Sequence, residues 1–504
     1  MNFLGAWSHH LPVLLVLIPL IGGVLSPIVA RGSRGWAWAF LTMVATATVA
    51  LELLLRIRSS GPISYPLGGW NLPFGIELYV DLLSAIIALV VAGVGLVVTF
   101  YARTSVRFEI PDDRFGFFWS LWLLAITGLI GIVITGDAFN LYVMLEISSL
   151  TIYGLIAMGR MRDRRALTAA FNYLILGSIG AAFILIAIGL LYSETGTLNM
   201  ADLHRRLSAI EANATIRSAR AFLLAGLGLK MALFPLHLWM PAAYSRAPSA
   251  VAGLLAATAT KVGIYMAMRF FYTVLATDEG ILTAPNVLIL SGCAGAAIVF
   301  GSATAARQRS LSLLLAFSSV AQIGYIVLGM AIGHSDPTGY AMTGSILHII
   351  SHALMKGGLF LCAGIFIWRL GTNDFDQLAG IGRRMPWTSA AVVAGGLGLI
   401  GVPGTAGFIS KLYLLRGLFE SGHPLLAVLV LTGSVLAAIY TWRFVEIAYL
   451  KPPVENGLDH SEAPLGMLIP TWILIGASLV IGFYPGPIIE IASEAASTLL
   501  GGSG

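Results

Sequence analysis

Seven ionisable side chains lie inside long apolar stretches of the sequence, where an unpaired charge is costly. Three of them, His348, His352 and Lys356, follow one another at four-residue intervals, which places all three on one face of a helix. Histidine titrates near neutral pH, so a row of this kind is suited to passing protons. The other four are Glu146, Lys230, Lys261 and Lys411.

The setting of these residues favours proton transfer over a purely structural role. A charge at the centre of a bilayer costs about 2.5–3.5 kcal/mol on insertion scales, so each needs a partner or a function. Burial destabilises an ammonium and a nearby carboxylate stabilises it, so moving Glu146 towards or away from Lys230 would make the lysine hold or release a proton. The alternative for each residue is a static ion pair or a side chain that reaches for the membrane surface.

Other chemistries find little support in the sequence. The spacing of His348 and His352 occurs in zinc sites, but no third ligand or HExxH glutamate accompanies it. Cys293 and Cys362 both lie in apolar stretches, and the sequence has no CxxC motif for a cluster or a haem. We therefore expect no metal, no cofactor, and no redox or hydrolytic chemistry in this chain.

The composition places these residues in a membrane. Of 504 residues, 58% are hydrophobic and 11% are charged, whereas about a quarter of the residues of a soluble domain are charged. The net charge of +5 is small for this length and gives no indication of nucleic-acid binding. Apolar runs longer than about 18 residues recur, and in lipid such runs must be helical.

Hydropathy predicts an all-α polytopic protein with about fourteen spanning helices. Their predicted bounds are 12–30, 36–55, 82–101, 116–135, 138–158, 166–192, 219–240, 247–275, 285–304, 311–333, 340–368, 388–418, 424–449 and 465–490.

The arginines of the loops predict how the chain is oriented. Loops after odd-numbered spans are rich in arginine, and the positive-inside rule places such loops in the cytoplasm. Both termini are then expected on the outer side of a bacterial inner membrane. The odd-loop residues are Arg31, Arg34, Arg103, Arg107, Arg114, Arg160, Arg162, Arg164, Arg165, Arg307, Arg309, Arg383 and Arg384. The exceptions, in even loops, are Arg56, Arg58, Arg205, Arg206, Arg217 and Arg220.

Two similar Gly/Pro patterns suggest broken helices. Residues 226–229 (GLGL) are followed by Pro235, and residues 396–399 (GLGL) by Pro403. They lie in the seventh and twelfth spans, which are five spans apart and so run in opposite directions. Paired interruptions of this kind are typical of inverted repeats that line a transport path. Because glycine and leucine are abundant here, chance is the alternative.

This pattern predicts two inverted five-helix repeats, formed by spans four to eight and nine to thirteen, within one membrane domain. The predicted divisions are 1–504 for the whole domain, 1–110 for the first three helices, 111–275 and 285–450 for the two repeats, and 451–504 for the last helix.

At these same residues the chain resembles a known family. Residues 226–241, GLGLKMALFPLHLWMP, look like the signature of the antiporter-like subunits of complex I, membrane-bound hydrogenases and Mrp-type cation/proton antiporters. The segments that continue the resemblance are 247–249, 260–263, 318–319, 322–325, 348–356 and 403–411. It covers roughly residues 75–450. Residues 74–77, Val80-Asp81 and Lys411 are most similar to the Mrp D subunit.

The resemblance implies a role for each buried residue. Glu146 matches the glutamate that pairs with a seventh-helix lysine, here Lys230. Lys261 matches the lysine that leads to the centre. His348, His352 and Lys356 match the relay on the eleventh helix, and Lys411 matches the exit-side group on the twelfth.

One segment departs from the family pattern. Many relatives carry a charged Asp-x-Lys-Arg run in the loop that enters the tenth helix. Here residues 308–313, QRSLSL, lack most of those charges. The departure weakens the placement in the Mrp D branch and leaves the role of this segment open.

The expected function is therefore proton translocation within a multisubunit monovalent cation (Na+)/H+ antiporter, beside other hydrophobic subunits. Whether sodium moves as well as protons is left open. The alternative is the same role in a redox-driven complex, an NADH-quinone oxidoreductase or a membrane-bound hydrogenase. A membrane scaffold is a third hypothesis, but it would have no need for so many central charges.

Overall fold

The computed structural model describes residues 9–29, 34–276, 283–454 and 461–501. Position 30 at the end of the first predicted span, and Arg31, lie outside these ranges. Within them, 12 helices are long and apolar enough to cross a membrane. The chain is an all-α polytopic protein, as predicted.

The first part of the chain forms helices around one small hairpin. The elements are α1 (Leu11–Val29), α2 (Arg34–Ser60), β1 (Ile63–Pro66), β2 (Glu77–Val80), α3 (Leu82–Glu109), α4 (Phe115–Ile134), α5 (Ala138–Ala157), α6 (Arg165–Thr195), α7 (Met200–Leu207), α8 (Ala214–Lys230) and α9 (Trp239–Arg246). The strands pair antiparallel, with Ile63 opposite Val80. Composition did not predict this hairpin.

The regular elements of the second part of the chain, within its described residues, are all helices. The elements are α10 (Ser249–Ala257), α11 (Ala259–Arg269), α12 (Ala284–Ala306), α13 (Leu311–Ile332), α14 (Tyr340–Leu370), α15 (Ile381–Arg384), α16 (Pro386–Ile400), α17 (Ala406–Glu420), α18 (Pro424–Val445), α19 (Leu465–Phe483) and α20 (Gly486–Leu499). The predicted span 465–490 was too long, because the helix ends at Phe483.

Side-chain caps fix where several helices begin. Asp137 Oδ1 accepts a hydrogen bond from Asn140 N at 2.7 Å at the start of α5. Asp81 caps α3 in the same way, through Ser84 N at 2.9 Å. A capping side chain satisfies one of the backbone N–H groups that have no partner in the first turn.

The seventh and twelfth predicted spans are interrupted, as the sequence predicted. Residues 231–238 separate α8 from α9 and contain Pro235, and residues 401–405 separate α16 from α17 and contain Pro403. Gly401, with φ of +87°, gives α16 a left-handed end. The other twelve predicted spans correspond to the 12 long apolar helices.

The eighth predicted span carries an interruption that the sequence did not reveal. Thr258 has φ of −122° and ψ of −54°, which separates α10 from α11. No glycine or proline lies at this point, so the usual helix-breaking signals are missing.

The loops separate into two faces. At one face the loops after odd-numbered spans meet around a shared depression of about 590 Å³, and we call this the odd face. At the opposite face the loops after even-numbered spans surround a depression of about 670 Å³, and we call this the even face. Residues 498–501 line the second depression, and His10 Nδ1 lies 2.9 Å from Tyr65 Oη beside the hairpin. Both described ends of the chain therefore lie at the even face.

The arginines of the even face mostly have acidic partners. Arg58 pairs with Glu490 at 2.9 Å. Arg205 and Arg206 both pair with Asp202. Five arginines line the depression of the odd face, where Asp163 and Asp374 are the acidic lining residues. The excess of positive charge therefore lies at the odd face.

Candidate proton-relay site

The centre of the molecule is occupied by a row of ionisable side chains along α14. His348, His352 and Lys356 are each at most 1% exposed and lie on one side of this helix. Lys261 from α11 and Lys411 from α17, at 1% and 5% exposed, flank the row. We call these five residues the central row. The charge of Lys261 acts on both histidines and on Lys356.

His348 is held by two side chains from neighbouring helices. Its Nε2 lies 2.8 Å from Gln322 Oε1 on α13, and its Nδ1 lies 2.8 Å from Ser410 Oγ on α17. Ser410 directly precedes Lys411 in the chain. The imidazole thus links the eleventh span to the second half of the broken twelfth span.

His352 has no such partners. Its ring is fully buried, and neither ring nitrogen makes a hydrogen bond to any part of the chain that the structure describes. The ring stacks on His348 with centroids 6.1 Å apart and planes at 13°. Leaving one buried polar group unsatisfied costs about 1–3 kcal/mol, so this residue is not placed here for stability.

The lysines of the central row bind neutral acceptors. Lys411 Nζ donates to the carbonyl oxygens of Leu399 and Ile400 at 2.8 and 3.0 Å, in the last turn of α16. Lys261 Nζ donates to the carbonyl of Ala256 at the end of α10. Each lysine thus uses the negative C-terminal end of the helix half that precedes it. The helix breaks therefore supply the acceptors.

Lys356 binds α13 instead. Its Nζ donates to Leu315 O at 2.8 Å and to Ser318 Oγ at 2.5 Å. Within the described residues no carboxylate forms an ion pair with Lys261, Lys356 or Lys411. An ammonium held by neutral oxygens is stabilised less than one held by a carboxylate, so it gives up its proton more readily.

Tyr325 lies between Lys411 and His348 of the central row. Lys411 Nζ lies 4.5 Å from the centroid of the Tyr325 ring, and the ring meets His348 edge-on at 5.5 Å. The aromatic face stabilises the ammonium without fixing it in one hydrogen bond. Tyr325 therefore contacts two neighbouring members of the central row.

Glu146 and Lys230 form a separate group. The pair that the resemblance implies is not a direct ion pair in the described residues, because Lys230 Nζ donates to Ser149 Oγ at 2.9 Å. Glu146 is half-buried, one turn before Ser149 on α5, and its charge still acts on Lys230.

A small cavity lies between Lys230 and the helix that carries Lys261. It has a volume of about 20 Å³, on the scale of one water molecule, and its lining includes Ser149, Lys230 and, on α11, Ala259, Val262 and Gly263. Gly263 faces the backbone of Met231, which allows α11 to approach the break closely.

An ionic cluster near the even face did not figure in the predicted site. Arg269 at the end of α11 pairs with Asp81, and its Nε donates to Tyr265 Oη at 2.8 Å. Its Nη2 donates to Ser84 Oγ at 2.9 Å. Arg269 and Asp81 are 5% and 6% exposed, so this is a fixed, buried pair. The sequence left two alternatives for Asp81 at the start of the third predicted span, a boundary residue or part of an outer opening.

Several polar partners of the relay were also missed, although a signal for them existed. Ser318, Gln322 and Tyr325 lie four and three residues apart, which is the spacing of one helix face. All three contact members of the central row. Ser149 likewise lies three residues after Glu146.

The comparison with protein families decides the identity of the fold. The family described as NADH:quinone oxidoreductase/Mrp antiporter, transmembrane region, matches residues 135–437. The chain belongs to this family. The matched region contains all seven ionisable residues and both prolines that the sequence singled out.

Three relatives show how the chain stands within this NADH:quinone oxidoreductase/Mrp antiporter family. It is 42% identical to the N subunit of the NADH-quinone oxidoreductase of Desulforudis audaxviator, over 96% of this chain and 97% of that protein. It is 28% identical to the D subunit of the Na+/H+ antiporter of Alkalihalophilus pseudofirmus, over 98% and 97%. A chain of the archaeal membrane-bound sulfane sulfur reductase superposes with a TM-score of 0.89 at 30% identity, over 97% of each chain.

Proposed function

We propose that this chain is the proton-translocating subunit of a multisubunit membrane complex. Its central row carries the protons. The observation that supports this most is His352, a fully buried imidazole with no described protein partner, set between lysines that are held only by neutral oxygens. A group in that position can accept and donate a proton through water without breaking a protein hydrogen bond.

The order of the residues in the central row gives the course of the path between the two faces. Because α14 starts at the even face and ends at the odd face, Lys356 lies nearer the odd face and His348 nearer the even face. Lys411 continues beyond His348 on α17. A proton that moves from Lys356 through both histidines to Lys411 therefore crosses the middle of the membrane.

Glu146 and Lys230 form the input of the first half in this proposal. Movement of the Glu146 carboxylate towards Lys230 stabilises the ammonium, and movement away favours release of the proton. The released proton passes the cavity of about 20 Å³ to Lys261. Broken helices at both ends of this route, with Pro235 and Pro403 in the breaks, support the two inverted repeats 111–275 and 285–450.

Two driving reactions fit this row. Exchange of protons for sodium is supported by the likeness to the D subunit of the Na+/H+ antiporter over 98% of this chain. Coupling to a redox enzyme is supported by the 42% identity to the N subunit of the oxidoreductase. The higher identity favours the redox-driven complex. The chain needs no redox centre of its own in either case.

The arginine-rich odd face gives the proposed orientation. The positive-inside rule places it in the cytoplasm, and both described ends then lie outside a bacterial inner membrane. The subunits that co-purify separate the two driving reactions: iron–sulfur or nickel proteins indicate a redox complex, whereas several small hydrophobic subunits indicate an antiporter.

The test is proton transport by vesicles that hold the whole complex with Lys230→Ala. A relay predicts a fall in proton flux of about tenfold or more. Lys451→Ala, which removes an exposed lysine from a loop, is the matched control. Flux of the Lys230→Ala complex equal to that of the control would end the assignment of Lys230 to the relay.

A further inference from the structure

The depression at the odd face continues inward. Beneath the space of about 590 Å³ lies a second cavity of about 10 Å³, close to the volume that one water molecule needs. The two share four lining residues, so they adjoin. The shared residues are Arg162, Ser245, Ser312 and Ile367.

A buried hydroxyl faces the inner cavity without a protein partner. Ser249 is 3% exposed, and its Oγ makes no hydrogen bond to the described residues. Its backbone N–H is satisfied separately by the Glu109 carboxylate at 3.0 Å, which also pairs with Arg162 at 2.9 Å. An unpaired hydroxyl at a polar cavity of this volume is a site for water.

The inner cavity ends one helical turn from Lys356. Gly364 and Phe360 line it, and they lie eight and four residues after Lys356 on α14, so Phe360 is about 6 Å along the axis from the lysine. The Phe360 ring is 1% exposed and meets the Tyr244 ring edge-on at 5.8 Å. Among the lining residues on α14, Phe360 is therefore the one nearest to Lys356 along the helix.

The opposite wall of this route is polar. On α13, Ser312 lines both cavities, and Leu315 O and Ser318 Oγ accept hydrogen bonds from Lys356. These three positions are three residues apart and share one face of the helix. Ser312 belongs to the segment 308–313, where this chain carries hydroxyls in place of the charged run that many relatives carry.

We propose that water entering at the odd face exchanges protons directly with Lys356, along Ser249, Ser312 and Ser318, with Phe360 as the gate. This inference rests on the proposed function, because it gives the central row an opening of its own that bypasses Glu146 and Lys230.

The test measures access to water and needs no transport. In a Cys293→Ala/Cys362→Ala background, single cysteines are placed by Ser249→Cys and Ser318→Cys. Membranes of both orientations that contain the whole complex are exposed to silver ions. The thiols that remain free are then counted with a maleimide after denaturation.

The proposal predicts that the Ser249→Cys thiol reacts from the odd face alone. The Ser318→Cys thiol reacts slowly, and at least about tenfold faster once Phe360→Ala removes the ring. If the complex does not assemble with Phe360→Ala, Phe360→Leu removes the same ring with a smaller loss of side-chain volume.

The matched control is Ser302→Cys. Ser302 is 1% exposed on α12 and lies four residues from the odd end of its helix, so it is shallower than Ser318 but off the route. It is expected to stay unreactive in both backgrounds. Equal rates of thiol reaction for Ser318→Cys and Ser302→Cys after removal of the Phe360 ring would overturn the proposed water route. Normal proton flux in Lys356→Met would instead count against the proposed function and leave these rates unaffected.

Discussion

His352 stacks on His348 with ring centroids 6.1 Å apart, yet the two imidazoles are held in opposite ways. His348 uses both nitrogens in hydrogen bonds to Gln322 and Ser410. His352 uses neither within the described chain. The first residue contributes to stability as well as to the row, whereas the second contributes only to the row.

This contrast predicts different outcomes for two matched substitutions. His352→Phe keeps the ring and breaks no protein hydrogen bond, so Tm of the purified complex is expected to stay equal or rise. His348→Phe takes from Gln322 Oε1 its partner on α14, which costs about 1–3 kcal/mol for a buried group, whereas Ser410 Oγ keeps its bond to Gly407 O. Both changes are expected to abolish proton flux. A loss of Tm in His352→Phe as large as in His348→Phe would show that His352 is structural.

Tyr325 offers a test of the contact with Lys411. Tyr325→Phe retains the aromatic face, and the hydroxyl it removes makes a long contact of 3.4 Å with Val430 O. Tyr325→Leu removes the face and with it a cation–π contact of about 0.5–2 kcal/mol. We expect flux within about twofold of wild type for the first and severalfold lower for the second. Equal flux in both variants would show that the ring does not assist Lys411.

The Asp81–Arg269 pair is predicted to be structural. Asp81→Ala leaves a buried guanidinium without its carboxylate, which is expected to cost about 3–5 kcal/mol of stability. Asp81→Ala/Arg269→Met removes both charges and is expected to recover most of that loss. Thermal unfolding of the purified complex measures both effects. A double variant no more stable than Asp81→Ala would contradict the prediction.

Asp163, in the loop between α5 and α6, gives a prediction about pH. Burial opposes its charge, but hydrogen bonds from Arg165 and Arg246 outweigh burial and lower its pKa to about 2. Because the folded pKa lies below the usual 3.8, this carboxylate stabilises the fold at neutral pH, and its contribution fades only as pH falls from about 4 to about 2. Asp163→Asn should therefore lower Tm equally at pH 5 and pH 8.

The control for that measurement is Asp374→Asn, at the same depression. Asp374 is exposed and forms no ion pair with the described residues, so little change in Tm is expected. A loss of Tm in Asp163→Asn that disappears already at pH 5 would mean that the pKa of Asp163 is not lowered.

The sequence predicted those features that depend on local pattern. The apolar runs gave the spans, the four-residue spacing placed His348, His352 and Lys356 on one face, and the Gly/Pro patterns located both broken helices. Each of these depends on residues that are neighbours within one span of the chain.

The features that the sequence did not predict depend on distant contacts. Asp81 and Arg269 are 188 positions apart, and Lys230 meets Ser149 across 81 positions. The interruption at Thr258 has no local breaker and coincides with the Lys261 contact to Ala256 O. Tertiary packing decides such pairings, and a single sequence carries no direct signal for them.

The central claim is that the row on α14 carries protons across the middle of the membrane. The most direct measurement is proton flux in vesicles that hold the whole complex with Lys356→Met, which keeps the length of the side chain and removes its charge. We predict a fall of about tenfold or more relative to Lys451→Ala, with all subunits still co-purifying. Flux in Lys356→Met equal to that of Lys451→Ala would contradict the claim.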